Sequence, residues 1–216
     1  MPLSTIINGD CLEFLRSQPS MSFDLAIVDP PYGLDKKSTE GSGKLKNRIL
    51  NTAHIRRWDE KPAQEYFDEL QRVSRNQIIW GGNYFNLPPC RCFVVWDKQQ
   101  PWENFSQAEF AWTSFDKPAK LIHVSKSSEV KIHPTQKPIE LYAYLLRTFA
   151  NEGDSILDTH LGSGSSRIAA YKMGFDFTGC EIDFEYYTLQ EQRFRQECLG
   201  ETTTPSGKTI VQGSLF

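Results

Sequence analysis

The chain has 216 residues, 24 Lys+Arg against 27 Asp+Glu for a net charge of −3, and 39% hydrophobic and 12% aromatic residues. That length buries about 70% of the surface of the unfolded chain, enough for one sizeable core, and no run approaches the roughly 18 apolar residues of a membrane helix. The acidic balance excludes a polyanion binder that works by bulk charge, and Met-Pro-Leu-Ser-Thr lacks the basic-then-apolar pattern of a secretory signal, so a cytoplasmic protein without a membrane partner is expected.

Thr5–Ile7 reads as a short strand stopped by Asn8-Gly9-Asp10, ahead of a helix near Cys11–Arg16. Phe23–Val28 is a continuous apolar run with one Asp, the pattern of a strand covered on both faces. It ends at Asp29-Pro30-Pro31-Tyr32, where two prolines forbid both helix and ladder. Pro62 suits the first turn of a helix over about Ala63–Ser74, and Gln77–Trp80 is a strand ended by Gly81-Gly82-Asn83. Phe93–Trp96 is another strand, with Glu109–Phe115 and Lys120–Val124 expected as antiparallel strands near an edge. Pro138–Ala150 is a strong amphipathic helix. Ser155–Asp158 is a strand, followed by a glycine turn and a helix from about Ser165 to Met173; Phe177–Glu181 is the next strand and Phe184–Cys198 the last helix.

Such alternation implies an α/β fold, a doubly wound and mostly parallel sheet with an antiparallel edge. One domain over residues 1–199 is expected, with a tail over residues 200–216. The carboxyl ends of the strands carry Asp10, Asp29, Asp97, Asp158 and Glu181, and ligands bind at that edge. Residues 33–61 read as a mobile basic loop: from residue 30 to 62 there are eight basic and four acidic residues, 8 − 4 = +4. Between residues 150 and 200 four basic and nine acidic residues give 4 − 9 = −5, so charge is two-sided. Cys11, Cys90, Cys92, Cys180 and Cys198 have no C-x-x-C spacing and the four His are scattered, which suits free thiols in a reducing compartment and no metal site.

Two motifs carry chemistry. In Asp158-Thr-His-Leu-Gly162-Ser-Gly164, glycines between strand and helix let the backbone approach a ligand closely, although Arg167 stands where a dinucleotide fingerprint has its third glycine. Glu181 follows Gly162 by 19 residues, the place of an acidic group that takes ribose hydroxyls, so a nucleoside-containing cofactor is expected. In Asp29-Pro-Pro-Tyr32, stiff prolines aim a carboxylate and a carbonyl beside an aromatic ring, a set suited to a planar ring bearing an NH2 group.

Asp29-Pro-Pro-Tyr, followed much later by His133-Pro-Thr-Gln-Lys-Pro138 and then Asp158-x-x-x-Gly-x-Gly, resembles the β-class DNA amino-methyltransferases, which use S-adenosylmethionine to modify N6 of adenine or N4 of cytosine. The resemblance implies a Rossmann-like methyltransferase domain and site-specific methylation of double-stranded DNA as in restriction-modification, adenine N6 first and cytosine N4 as alternative. An inactive DNA-binding module of the same fold is the alternative of another class. Carried over by position, Asp29, Pro30, Pro31 and Tyr32 hold and activate the base. Asp10, Asp29, Thr135, Lys137, Asp158, Gly162, Gly164 and Glu181 bind the cofactor. Lys36, Lys37, Lys44, Lys46, Arg48, Arg56 and Arg57 are expected on DNA phosphates, and residues 97–130, with Trp102 and Trp112, are expected as a short target-recognition region. Thr159-His160 departs from the family's Pro-Phe; His160 reads either as a polar contact or as a neutral turn residue. Gln212-Gly-Ser-Leu-Phe216 resembles the peptide by which bacterial proteins dock on the replicative sliding clamp, with pairing of Thr209–Val211 on a sheet edge as the competing reading. The oligomeric state stays open, a homodimer included.

Overall fold

The computed structural model describes residues 1–34, 60–100, 106–125, 130–203 and 209–211. The basic residues from Lys36 to Arg57 named above, Trp102 and Gln212–Phe216 lie outside the described residues. Eight strands form the main sheet: β1 (Ser4–Asn8), β2 (Phe23–Val28), β3 (Ser74–Trp80), β4 (Phe93–Asp97), β5 (Ala108–Thr113), β6 (Lys120–His123), β7 (Ser155–Asp158) and β8 (Asp176–Glu181). Their order is β1-β8-β7-β2-β3-β5-β4-β6. Every neighbouring pair is parallel except those made by β5, which runs against both β3 and β4.

The expectation of two antiparallel edge strands needs a correction. β6 does not pair with β5 but lies parallel to β4, as the outermost strand. Both edges of β5 are already taken by β3 and β4, so the open edge of β4 is the ladder available to β6. Its alternation fits a sheet margin: Ile122 is buried while Leu121 faces water.

Helices cover both faces. α1 (Cys11–Ser17) and α2 (Gln64–Val73) lie on one, where Leu15, Tyr66, Phe67, Leu70 and Val73 pack with Ala26, Val28, Ile79 and Leu157. On the other face, α3 (Ile139–Phe149) and α4 (Ser165–Lys172) pack Leu141, Leu145, Leu146, Ala169 and Ala170 against Leu25, Ile27, Ile78, Val94 and Ile156. The unbroken apolar run of β2 is explained: alternate residues enter opposite cores. α5 (Phe184–Leu199) is capped by Asp183, whose carboxylate accepts from the Glu185 and Tyr186 amides, and ends on Gly200 in the left-handed region. Beyond it, β9 (Glu201–Thr203) pairs antiparallel with β10 (Thr209–Val211), so Thr209–Val211 pairs with the start of the tail and not with the main sheet. Among the described residues no helix is long and apolar enough to cross a membrane.

From β2 the chain steps through α2 to β3; from β7 it steps through α4 to β8, in the opposite direction. The crevice between the carboxyl ends of β2 and β7 is thus the topological switch point, where open α/β sheets bind ligands. Arg167, the residue in place of a third fingerprint glycine, braces this half. Its guanidinium donates to Ser4 Oγ at 2.9 Å, Gln190 Oε1 at 2.9 Å and Glu191 Oε2 at 2.5 Å, and lies 3.6 Å from the Phe194 ring centroid. It joins β1, α4 and α5. Arg167→Ala leaves those acceptors and the ring without their partner and is expected to cost about 3 kcal/mol, read as a lowered urea midpoint at unchanged slope.

Candidate functional site

β2 delivers Asp29 to the switch point. Leu25 and Ala26 lie in register with Ile156 and Leu157, which puts Asp29 just beyond the level of Asp158. The Asp29 carboxylate is bound at both oxygens. Oδ1 accepts the Tyr32 hydroxyl at 2.7 Å, and Oδ2 accepts the ammonium of Lys137. Pro30 and Pro31, having no N–H, leave the corner stiff. Tyr32 closes back on it because of what stands at the end of β3: a Cβ on Gly81 would fall 2.2 Å from the Tyr32 ring, and Gly81 has φ +66°. Only glycine permits both.

The Tyr32 ring stacks on Tyr84, with centroids 4.9 Å apart at 19°, and meets Phe85 edge-on at 6.1 Å. Tyr84 is 40% exposed, so it is the outer member of the aromatic pair. Burial, then the Asp29 and Glu109 charges, push the Tyr32 hydroxyl above its ordinary range and keep it a donor.

Lys137, expected among the cofactor contacts, is placed against Asp29 and not against the glycine loop. It also lies 3.1 Å from Glu109 Oε2, and Glu109 Oε1 lies 2.6 Å from Lys98 Nζ. Burial alone would lower the Lys137 ammonium, but the Asp29 and Glu109 carboxylates outweigh it and hold Lys137 raised and charged. Burial likewise disfavours the Glu109 anion, and the Lys137 and Lys98 charges overcome it, leaving Glu109 lowered to about 2. Two carboxylates thus alternate with two ammonium groups in a largely buried corner.

The glycine loop stands on β7. Asp158 is buried and spends its two oxygens inside the loop, accepting the His160 amide at 3.0 Å and the Ser166 hydroxyl at 2.5 Å. Burial raises its carboxyl to about 7. Asp158 therefore shapes the loop from beneath. Gly162 and Gly164 have φ +51° and +73°, conformations open to glycine. Glu181 ties the loop to β8: Oε2 accepts the Gly162 amide at 2.8 Å and Oε1 the Asp183 amide at 2.9 Å. Each oxygen keeps a second lone pair. Burial raises the Glu181 carboxyl.

Asp10 caps α1, with Oδ1 accepting from the Leu12 and Glu13 amides, at the carboxyl end of β1 beside β8. The Asn8 side chain and the Gly9 amide both donate to the Glu181 carbonyl, joining those two strand ends. His133 brings the third segment over the loop: its ring lies about 3.5 Å from where a Gly162 Cβ would stand, and packs edge-on against Tyr186 at 4.3 Å. Thr135 Oγ1 lies 3.1 Å from His133 Nδ1, so Thr135 orients that ring. Burial lowers His133 to about 4, so it is neutral at pH 7.

His160 packs as a neutral ring. Its Nδ1 lies 3.0 Å from Thr159 Oγ1, its Nε2 lies 3.8 Å from Cys11 Sγ, and the Tyr66 ring meets it edge-on at 5.3 Å. Burial lowers it to about 4 and raises the Cys11 thiol to about 12, which leaves neither group charged at neutral pH. A buried Tyr66–Thr159 hydroxyl pair at 2.5 Å completes the cluster where the resembled family has Pro-Phe.

Sequence reasoning missed Gly81, Tyr84, Lys98 and Glu109. The Gly81-Gly82 pair after an apolar strand was legible as a stop, and its crowding against Tyr32 is a tertiary fact. Lys98 and Glu109 carry no motif at all.

Known proteins resemble this chain in sequence and in fold. A family model of the N6/N4 methyltransferase type, described as DNA methylase, matches residues 91–192. The chain is 24% identical to the type II methyltransferase M2.MboI of Moraxella bovis, over 88% of this chain and 87% of that protein. It is also 24% identical to the type II methyltransferase M.HinfI of Haemophilus influenzae, over 90% of this chain and 69% of that one. Among solved structures, the M1.HpyAVI–SAM complex aligns with a TM-score of 0.60 at 19% identity, over 88% of this chain and all of that one. The cytosine-N4-specific PvuII DNA methyltransferase aligns at 0.63 and 18% identity, over 90% and 87%. By motif order, fold and these matches, the chain is similar to the DNA amino-methyltransferases of the N6/N4 class.

Proposed function

We propose that this protein transfers a methyl group from S-adenosylmethionine to the N6 amino group of an adenine flipped out of double-stranded DNA. The observation that carries the reading is the Asp29 carboxylate, set at the switch point between an aromatic pair and the glycine loop. Neighbours solved as SAM complexes, M1.HpyAVI and the TTHA0409 protein of Thermus thermophilus, support the choice of cofactor.

The residues present fit that cofactor. Gly162 and Gly164 add no side chain of their own to the loop, the spare lone pairs of Glu181 suit ribose hydroxyls, and Asp10 keeps Oδ2 for an amino group. His133 and Thr135 would close over the bound molecule from above the loop. When bound, it supplies a methyl group made electrophilic by its sulfonium.

The adenine amine is a poor nucleophile because its lone pair is delocalised into the ring. Asp29 Oδ1 and the Pro30 carbonyl are acceptors for its two N–H bonds, and accepting them favours a pyramidal nitrogen with a localised lone pair. Positive charge growing on that nitrogen meets a carboxylate already in place. The Lys137 ammonium occupies Oδ2, so the base meets Oδ1, which keeps a second lone pair beside the Tyr32 hydroxyl. The nitrogen gains the methyl group as the carbon–sulfur bond pair stays with sulfur, and the surplus amine proton leaves along the Asp29 side. A base inside the duplex cannot reach this crevice, so extrusion onto the Tyr32–Tyr84 rings is part of the reading.

The +4 loop that follows Tyr32 is proposed to track phosphates, with residues 97–130 giving a short target preference. The type II relatives support a place in restriction-modification. The clamp-docking peptide Gln212–Phe216 remains a proposal from sequence alone.

Asp29→Ala is expected to lower methyl transfer about 10³-fold or more in a tritiated-methyl assay while cofactor affinity holds; undiminished turnover refutes the role given to Asp29. If the seven basic residues from Lys36 to Arg57 all engage phosphates, DNA affinity falls roughly 10³-fold between 50 and 200 mM salt, and a flat salt response counts against the loop. Modification-sensitive sequencing of DNA from cells expressing the chain is expected to show N6-methyladenine in one short context; N4-methylcytosine there overturns the choice of base.

A further inference from the structure

Asp29, Lys137, Glu109 and Lys98 form one continuous run of alternating charges, and its last two members, Glu109 and Lys98, lie in none of the sequence motifs. Glu109 stands on β5 opposite Trp96, and Lys98 directly follows β4. Lys98 Nζ meets Glu109 Oε1 at 2.6 Å, and Glu109 Oε2 lies 3.1 Å from Lys137 Nζ. The Lys137 ammonium thus stands between the two carboxylates, bonded to Asp29 Oδ2 and within 3.1 Å of Glu109 Oε2. The Trp80 and Trp96 rings flank the two ammoniums, with centroids 5.1 Å from Lys137 Nζ and 5.5 Å from Lys98 Nζ.

A lysine side chain has a flexible four-carbon stem and would hold no single position on charge alone. Here the Trp80 face and the Glu109 carboxylate leave Lys137 one place to sit, and the Lys98 ammonium fixes Glu109 in turn. We propose that Glu109 and Lys98 are positioning residues for Asp29: they pin the Lys137 ammonium on Oδ2 so that Oδ1 stays directed at the base amine. The proposal rests on the reading of Asp29 as the carboxylate that receives the base. The charged and titratable groups facing Lys137 are Asp29 from the turn after β2, Glu109 from β5, His133 from its own segment and Tyr142 from α3, while Tyr32 faces Asp29 and Glu109. Asp158 from β7 faces Asp29.

The sign of each substitution follows. Lys137→Met removes the cation beside Asp29 and makes its carboxylate harder to ionise. Glu109→Gln removes a competing anion, leaves Lys137 wholly to Asp29 and makes that carboxylate easier to ionise, yet a poorer acceptor for the base. The test uses the full-length protein, following the Asp29 carboxyl carbon by NMR against pH together with single-turnover methyl transfer and S-adenosylmethionine binding. Glu109→Gln is expected to move the Asp29 midpoint down by about one pH unit, and Lys137→Met to move it up by about as much. Lys137→Arg, which keeps the charge, returns the midpoint toward that of the parent. Glu109→Gln and Lys98→Met are each expected to slow transfer about tenfold with cofactor affinity within about twofold. Coincident midpoints in the parent, Glu109→Gln and Lys137→Met proteins overturn the proposal even where transfer slows. Because the titration needs no turnover, separated midpoints in a parent protein that methylates no DNA sustain the positioning of Asp29 and sink the functional reading alone.

Discussion

The bond between Asp29 and Lys137 joins parts of the chain 108 residues apart, and the site depends on it. Asp29 opens the turn that leaves the sheet centre, while Lys137 ends the segment that has just passed over the glycine loop through His133. The base-holding corner and the loop side of the crevice are thereby locked in one geometry. The pair is nearly dry: the Lys137 side chain is 4% exposed and that of Asp29 16%. Removing either partner would strand a charge in low dielectric, which costs far more than the pair itself contributes.

Around that bond the molecule separates two kinds of polar burial. On the loop side, carboxylates are held by uncharged donors: Asp158 by an amide and a hydroxyl, Glu181 by two amides. Burial raises both. On the other side of the switch point, Glu109 and Asp29 are held by ammonium groups, and Glu109 is driven down instead. One sheet edge thus offers lone pairs suited to hydroxyls and amines near the loop, and a fixed anion where positive charge is to develop. Tyr32 belongs to the second group by its hydroxyl and to the aromatic platform by its ring, and Gly81 makes that double duty sterically possible.

The Thr159-His160 departure is absorbed without introducing charge. His160, Thr159, Tyr66 and Cys11 satisfy one another as a neutral cluster behind the loop. Arg167, the other oddity of that region, is a structural brace whose fork matches three acceptors, one on β1 and two on α5, and whose plane lies on Phe194.

What the residues alone determined was the alternation of strands and helices, the double burial of β2, the strand-end position of Asp29, Asp158 and Glu181, and the order of the three motifs. Periodicity and the punctuation by Pro and Gly are local properties, legible within a dozen residues. Pairing partners are not local. That β6 goes to the far side of β4, that β2 lies beside β7, and that Glu109 reaches both Lys137 and Lys98 depend on which ladder edges and faces are left open once the other strands have docked. A glutamate on a half-buried strand and a lysine just past a strand end carry no signal of their own. Only the folded sheet, by stacking β4 and β5 beside β3, brought those two side chains together and set Glu109 against Lys137.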